Sequence, residues 1–220
     1  IWRTVLLKSR ISNDADLELA IRPGPDGNRR LMMSSNNAGK FLKFFDYYEN
    51  MLGGELSVTG TFDDRTPGRP LKGRIAVRDY RVVNAPILAR LLSIMALTGI
   101  LDALEGDGLA FSDLSAPFVL RQGTFEFEEA RASGTALGFT ANGKIFQHAD
   151  VVDLEGTVIP AYALNSAFGR IPLLGDLFSG GEKGGGIFAA AYTMTGPIEE
   201  PVVSVNPLSA LAPGFLRNVF

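Results

Sequence analysis

The chain has 220 residues, 46% hydrophobic and 20% charged, with a mean hydropathy of +0.13. That balance excludes intrinsic disorder, and a net charge of −3 with no Lys/Arg run longer than Arg29-Arg30 excludes a general affinity for nucleic acid. No cysteine and one histidine, His148, remove disulfide scaffolds, thiolate metal sites, cysteine nucleophiles and multi-histidine centres. Frequent glycine (25) and proline (12) suggest many turns joining short strands. The opening Ile1-Trp2-Arg3 has no initiator Met and no signal peptide. It reads as one domain, residues 1–220, cut from a longer protein, with any targeting or anchoring segment expected upstream.

In chain order, the first clear strand is Asp16–Arg22, where Leu17, Leu19 and Ile21 alternate with charged residues. Successive side chains of a strand point to opposite faces, so this segment is half buried. Asn37 is placed to cap a helix carrying Phe41, Leu42, Phe45 and Tyr48 inward and Lys40, Lys43 and Asp46 outward. Met51-Leu52-Gly53-Gly54 is expected to end it by the glycine C-terminal rule. Alternation resumes with Leu56, Val58 and Phe62, and again with Leu71, Ile75 and Val77.

A second helix is expected from Asn84 through Leu104, with Pro86 in its first turn and few polar residues. Its uninterrupted apolar stretch, Leu91–Leu101, would reach only about 16 Å, against a hydrocarbon core of about 30 Å. It cannot span a membrane. A helix apolar around most of its circumference is buried on several sides or lies against something greasy.

From about residue 108 to residue 160 the pattern is a meander. Leu114, Ala116, Phe118 and Leu120 share a face, Arg121-Gln122-Gly123-Thr124 turns, and Phe125 and Phe127 oppose Glu126 and Glu128. Leu137, Phe139, Ala141 and Ile145 follow, then a turn at His148-Ala149-Asp150, then Val152, Leu154 and Val158. A last strand is expected at Ile187–Thr195, after the glycine-rich loop Gly180–Gly186. Clean alternation argues for an antiparallel sheet; a parallel one would show continuous apolar runs.

No constellation looks catalytic. Gly138–Lys144 has the spacing of a phosphate loop, but Ile145 stands where a magnesium-holding Ser or Thr belongs, and the flanks read as a strand kinked at Asn142-Gly143. His148 has no convincing nucleophile or orienting acid, Ser166 and Asp153 being the nearest candidates. Glu126, Glu128, Glu129, Asp150, Asp153 and Glu155 read as the wet face of strands rather than a convergent carboxylate pair. What remains is an apolar face rich in Phe: Phe62, Phe111, Phe118, Phe125, Phe127, Phe139, Phe146 and Phe188. Such a face must be covered by a second sheet, by helices or by a ligand. Two helices and the greasy stretch Phe168–Phe178 are the chain's own covers; the alternatives are a closed α+β core and a groove left partly open for acyl chains.

Several segments carry a family resemblance. Gly156–Tyr162, Leu164-Asn165, Ile171–Gly175, Thr195-Gly196-Pro197, Pro201, Val205–Leu208 and Leu211–Arg217 resemble the C-terminal region of AsmA-like proteins. Asn84-Ala85-Pro86 and Gly143 fit the same pattern, which is tight only after about residue 135. The resemblance implies a mainly β fold with a few helices: a curled antiparallel sheet, open groove or half-barrel, with helices at the groove or its mouth. It also implies a bridge-like, chorein-type protein moving phospholipids between inner and outer membranes in Gram-negative bacteria, periplasmic and anchored in the inner membrane by an absent N-terminal segment. No enzyme activity, cofactor or metal comes with the family.

Phe118, Leu120, Phe125, Phe127, Leu137, Phe139, Ile145, Val152, Leu154 and Val158 are then expected to line a groove for phospholipid acyl chains. Leu91, Ile94, Met95, Leu97, Leu173, Leu174 and Phe178 are expected to form a lid or membrane contact. The competing reading is a scaffold for outer-membrane protein assembly, docking a protein partner at a sheet edge.

Overall fold

The computed structural model describes residues 4–160 and 189–206. Eleven strands form one antiparallel sheet in strict chain order: β1 (Val5–Ser12), β2 (Ala15–Pro23), β3 (Arg29–Ser35), β4 (Met51–Phe62), β5 (Leu71–Val82), β6 (Leu109–Arg121), β7 (Thr124–Gly134), β8 (Leu137–Phe146), β9 (Val151–Pro160), β10 (Ala190–Pro197) and β11 (Val202–Asn206). The sheet does not close into a barrel. Helix α1 (Ala38–Phe44) joins β3 to β4, while α2 (Pro86–Ile94) and α3 (Thr98–Glu105) join β5 to β6. All three helices therefore stand at one end of the strands. The opposite end carries no helix among the described residues, only connections of two to eight residues; the shortest is the Gln122-Gly123 hairpin, where φ values of 48° and 79° suit a primed turn.

The meander brings apolar residues into rows across the sheet. One row runs Leu17, Ser35, Leu56, Val77, Leu114, Ala132, Phe139, Val158 and Ala190. Nearer the tight-turn end, Phe62, Leu71, Leu120, Phe125, Ile145 and Val152 form another. The helices cover the inner face at their own end, where Phe41, Tyr80, Val82, Leu92, Leu104, Leu109, Phe111 and Leu137 make a buried cluster. Helix α2 also lies against β11. In a flat sheet β11 would stand about 29 Å from β5, roughly twice the length of α2. The sheet thus curls toward its inner face.

Three sequence expectations are corrected. Helix α1 stops at Phe44, not at Gly53-Gly54: Asp46 takes a left-handed φ of 55°, and the Asp46 and Tyr47 N–H groups donate to Lys43 and Leu42 carbonyls (3.2 and 2.8 Å). That is a Schellman ending with Asp in the position glycine usually holds. Met51–Gly54 belong to β4, and Phe45 and Tyr48 lie exposed instead of inward. Asn37 does cap α1, accepting from the Lys40 N–H at 3.1 Å.

The expected helix Asn84–Leu104 is two helices. Asn84 itself is left-handed (φ 46°), Pro86 is the first helical residue, and α2 ends by the same device at Ala96 (φ 55°). There the Ala96 and Leu97 N–H groups donate to the Ser93 and Leu92 carbonyls at 3.0 and 2.9 Å. The turn lets α3 fold back, and the Asn84 N–H reaches the Leu104 carbonyl at 3.2 Å. Finally, the strand expected last is followed by β11, and β1 and β3 add to the alternating strands read from the sequence. Ile187 and the Gly180–Gly186 loop lie outside the described residues.

Candidate apolar binding face

The inner face divides into two zones. In the zone beneath the helices, Leu92 and Leu104 are 0% exposed and Leu137 is 1% exposed. Aromatic rings continue that core across three strands, with Tyr80 stacked on Phe111 (5.1 Å, 8°) and Phe111 on Phe139 (6.1 Å, 30°). Burial also pushes the Tyr80 hydroxyl well above its usual range. Apart from half-buried positions at its edge such as Phe139, this zone is closed by the protein itself.

Toward the tight-turn end, Phe62, Leu120, Phe125, Phe127, Ile145 and Leu154 are only half-buried. Phe125 stacks on Phe127, two residues along the same strand face (5.8 Å, 8°), and tilts against Phe118 (5.4 Å). Phe118 is buried because its ring fills the space over Gly73, its cross-strand partner. The row through Phe118 and Phe127 reaches Gly143 and Leu154, then Met194 and Val203.

Of the ten expected groove residues, Phe118, Leu137, Val152 and Val158 are buried, and Leu120, Phe125, Phe127, Phe139, Ile145 and Leu154 are half-buried. All ten share the inner face, but Leu137 and Phe139 belong to the helix-covered zone. Phe146 faces outward, opposite Thr124 and Val151, and drops from the apolar face. Of the expected lid, Leu91 is buried and turned into the protein, Met95 and Leu97 are half-buried, and Ile94 is 46% exposed. A contact through Leu91 is therefore withdrawn. Leu173, Leu174 and Phe178 lie outside the described residues.

Tyr192, Met194, Val203 and Val205 extend the inner face beyond the residues picked from the sequence. Their alternation with Thr193, Thr195, Ser204 and Asn206 was the available signal. Tyr192 donates its hydroxyl to the Thr140 carbonyl at 2.9 Å, and burial pushes its pKa up to about 12.

The polar residues weighed for chemistry sit apart from this face. The Asn142 side chain accepts from the Glu129 N–H at 2.7 Å, where Glu128-Glu129 bulge out of β7. Lys144, the would-be phosphate-loop lysine, points outward to Glu126 at 3.5 Å. His148 is exposed, with its ring over Gly123. Among the described residues no three His, Cys, Asp or Glu side chains converge on a metal-sized site, and no helix is long and apolar enough to cross a membrane. No family model, curated protein or solved structure matches the chain.

Proposed function

We propose that this domain is a non-catalytic holder of phospholipid acyl chains, acting in lipid movement between inner and outer membranes as the AsmA-like resemblance implies. The observation that carries the reading is the half-buried run of Phe62, Leu120, Phe125, Phe127, Ile145 and Leu154 on the inner face of one curled sheet. Each methylene of an acyl chain laid there gains about 0.8 kcal/mol by leaving water. Affinity of that kind needs no head-group pocket. It requires only continuous apolar wall, and cross-strand pairing supplies this across neighbouring strands.

Native mass spectrometry after gentle purification tests the reading. Co-purifying phospholipid is the expected result, and a domain that stays empty when offered detergent-free lipid contradicts it. A second reading, a scaffold that takes a partner strand, draws on β1, an edge strand that exposes Leu6 (63%) and Leu7 (46%). An empty but partner-bound domain would favour it.

A further inference from the structure

The outer face of the sheet is not uniform in charge. Over most of it, cations meet anions across strands: Lys8 with Glu18 (2.7 Å), Arg10 with Asp16 (3.3 Å) and Lys144 with Glu126 (3.5 Å). Glu55 likewise stands opposite Arg78, which stands opposite Asp113. Over β2–β5 near the tight-turn end the pattern fails. Arg22 lies directly opposite Arg30, Arg30 opposite Thr61, and Thr61 opposite Lys72, while Arg74 follows Lys72 on the same face.

None of these four cations makes an ion pair among the described residues. Like charges placed opposite each other destabilise a sheet, so local folding does not account for the arrangement. Most nearby carboxylates are engaged elsewhere, although Asp26 stands close enough to Arg30 to feel its charge, and Arg74 donates to the Ser115 hydroxyl. Asp64 holds Arg29 (2.6 Å), Asp63 accepts from the Arg65 and Thr66 N–H groups and the Thr66 hydroxyl, and Asp26 accepts from Asn28. In the middle of the cations stands Met32, 62% exposed.

We propose that this cationic field docks on the surface of an anionic phospholipid bilayer. The cations stand on three of four neighbouring strands, β2, β3 and β5, at about 4.8 Å per strand, which fits an extended array of charges better than one small anion. An apolar Met at the centre of the field fits a surface offering hydrocarbon beneath its phosphates. The proposal rests on the lipid-holding reading, because the same end of the sheet carries the half-buried Phe62, Leu120 and Phe125 on its other face. A bilayer met there would lie beside the apolar wall that is to receive its chains.

The test is co-sedimentation of the protein with vesicles of phosphatidylcholine alone or with added phosphatidylglycerol, at low and high salt, with lipid occupancy followed in parallel by native mass spectrometry. The account expects binding only to the anionic vesicles, weakened by salt. The triple variant R30Q, K72Q, R74Q should lose binding by about 100-fold, at roughly fivefold for each cation near an anionic surface. The control K144Q should bind as the original protein does. Binding indifferent to vesicle charge, or unchanged in the triple variant, overturns the docking proposal even if the protein carries lipid. Charge-dependent binding by a protein that never carries lipid supports docking and contradicts the groove. A protein that ignores vesicles but is captured by an acidic polypeptide overturns docking as well.

Discussion

The zone beneath the helices and the zone toward the tight turns come from the same kind of sequence and end differently. Both are alternating strands with Phe, Leu, Ile and Val on one face. Where α1, α2 and α3 reach, Leu92, Leu104 and Leu137 lose essentially all solvent contact; farther along the same strands, Phe125, Phe127 and Leu154 keep part of theirs. Alternation specifies which face is apolar. What covers that face depends on where the chain inserts helices between strands, and the three helices among the described residues stand at one end.

The contrast can be broken most strongly from the closed side. Leu92→Ala should cost about 2–5 kcal/mol of stability in urea unfolding, since the removed side chain leaves a cavity in a region with no solvent to fill it. Phe127→Ala, in the half-buried zone, should cost clearly less than the roughly 3–5 kcal/mol of a fully buried Phe, while lowering co-purified lipid. Equal losses at the two sites would mean that the zones do not differ energetically.

Gly73→Ala sharpens the boundary between them. A Cβ there would press on the Thr59 carbonyl and come within 2.9 Å of the Phe118 ring. A penalty of about 1–3 kcal/mol by thermal melting is expected from overpacking at this site. An unchanged melting temperature would show that Phe118 has room to shift, and so that the wall there is loose.

The smallest effect is alkaline. Folded Tyr192 holds its proton to about pH 12 because its ring is buried, whereas the unfolded side chain titrates near 10. The tyrosine's contribution to stability is therefore complete below pH 10 and is lost as pH rises through about 12. A pH titration of denaturant midpoints should show this loss, and Tyr192→Phe should reduce it.

How much of this was legible in the sequence follows from local physics. Two-residue alternation located strands such as β2, β5 and β8, the Gln122-Gly123 turn carried its own glycine, and Asn37 announced the start of α1. The ends of α1 and α2 were hidden because Asp46 and Ala96, not glycines, adopt the left-handed conformation that closes them. Glycine rules then pointed to Gly53-Gly54, which instead kink β4 with φ of 65° and 85°. The cationic field was also hidden. Arg22, Arg30, Lys72 and Arg74 are scattered along the chain, and only strand register makes them neighbours. The same holds for the apolar wall: composition shows enough Phe to build one, but pairing decides that Phe118, Phe125 and Phe127 touch while Phe146 faces away.

The most direct test of the central claim is site-resolved lipid crosslinking. A photoreactive benzophenone side chain would replace Phe127 in one variant and Phe111 in another, each exposed to light in the presence of phospholipid vesicles. The account predicts a lipid adduct at position 127 and none at the buried position 111. Adducts at both positions, or at neither, would contradict it.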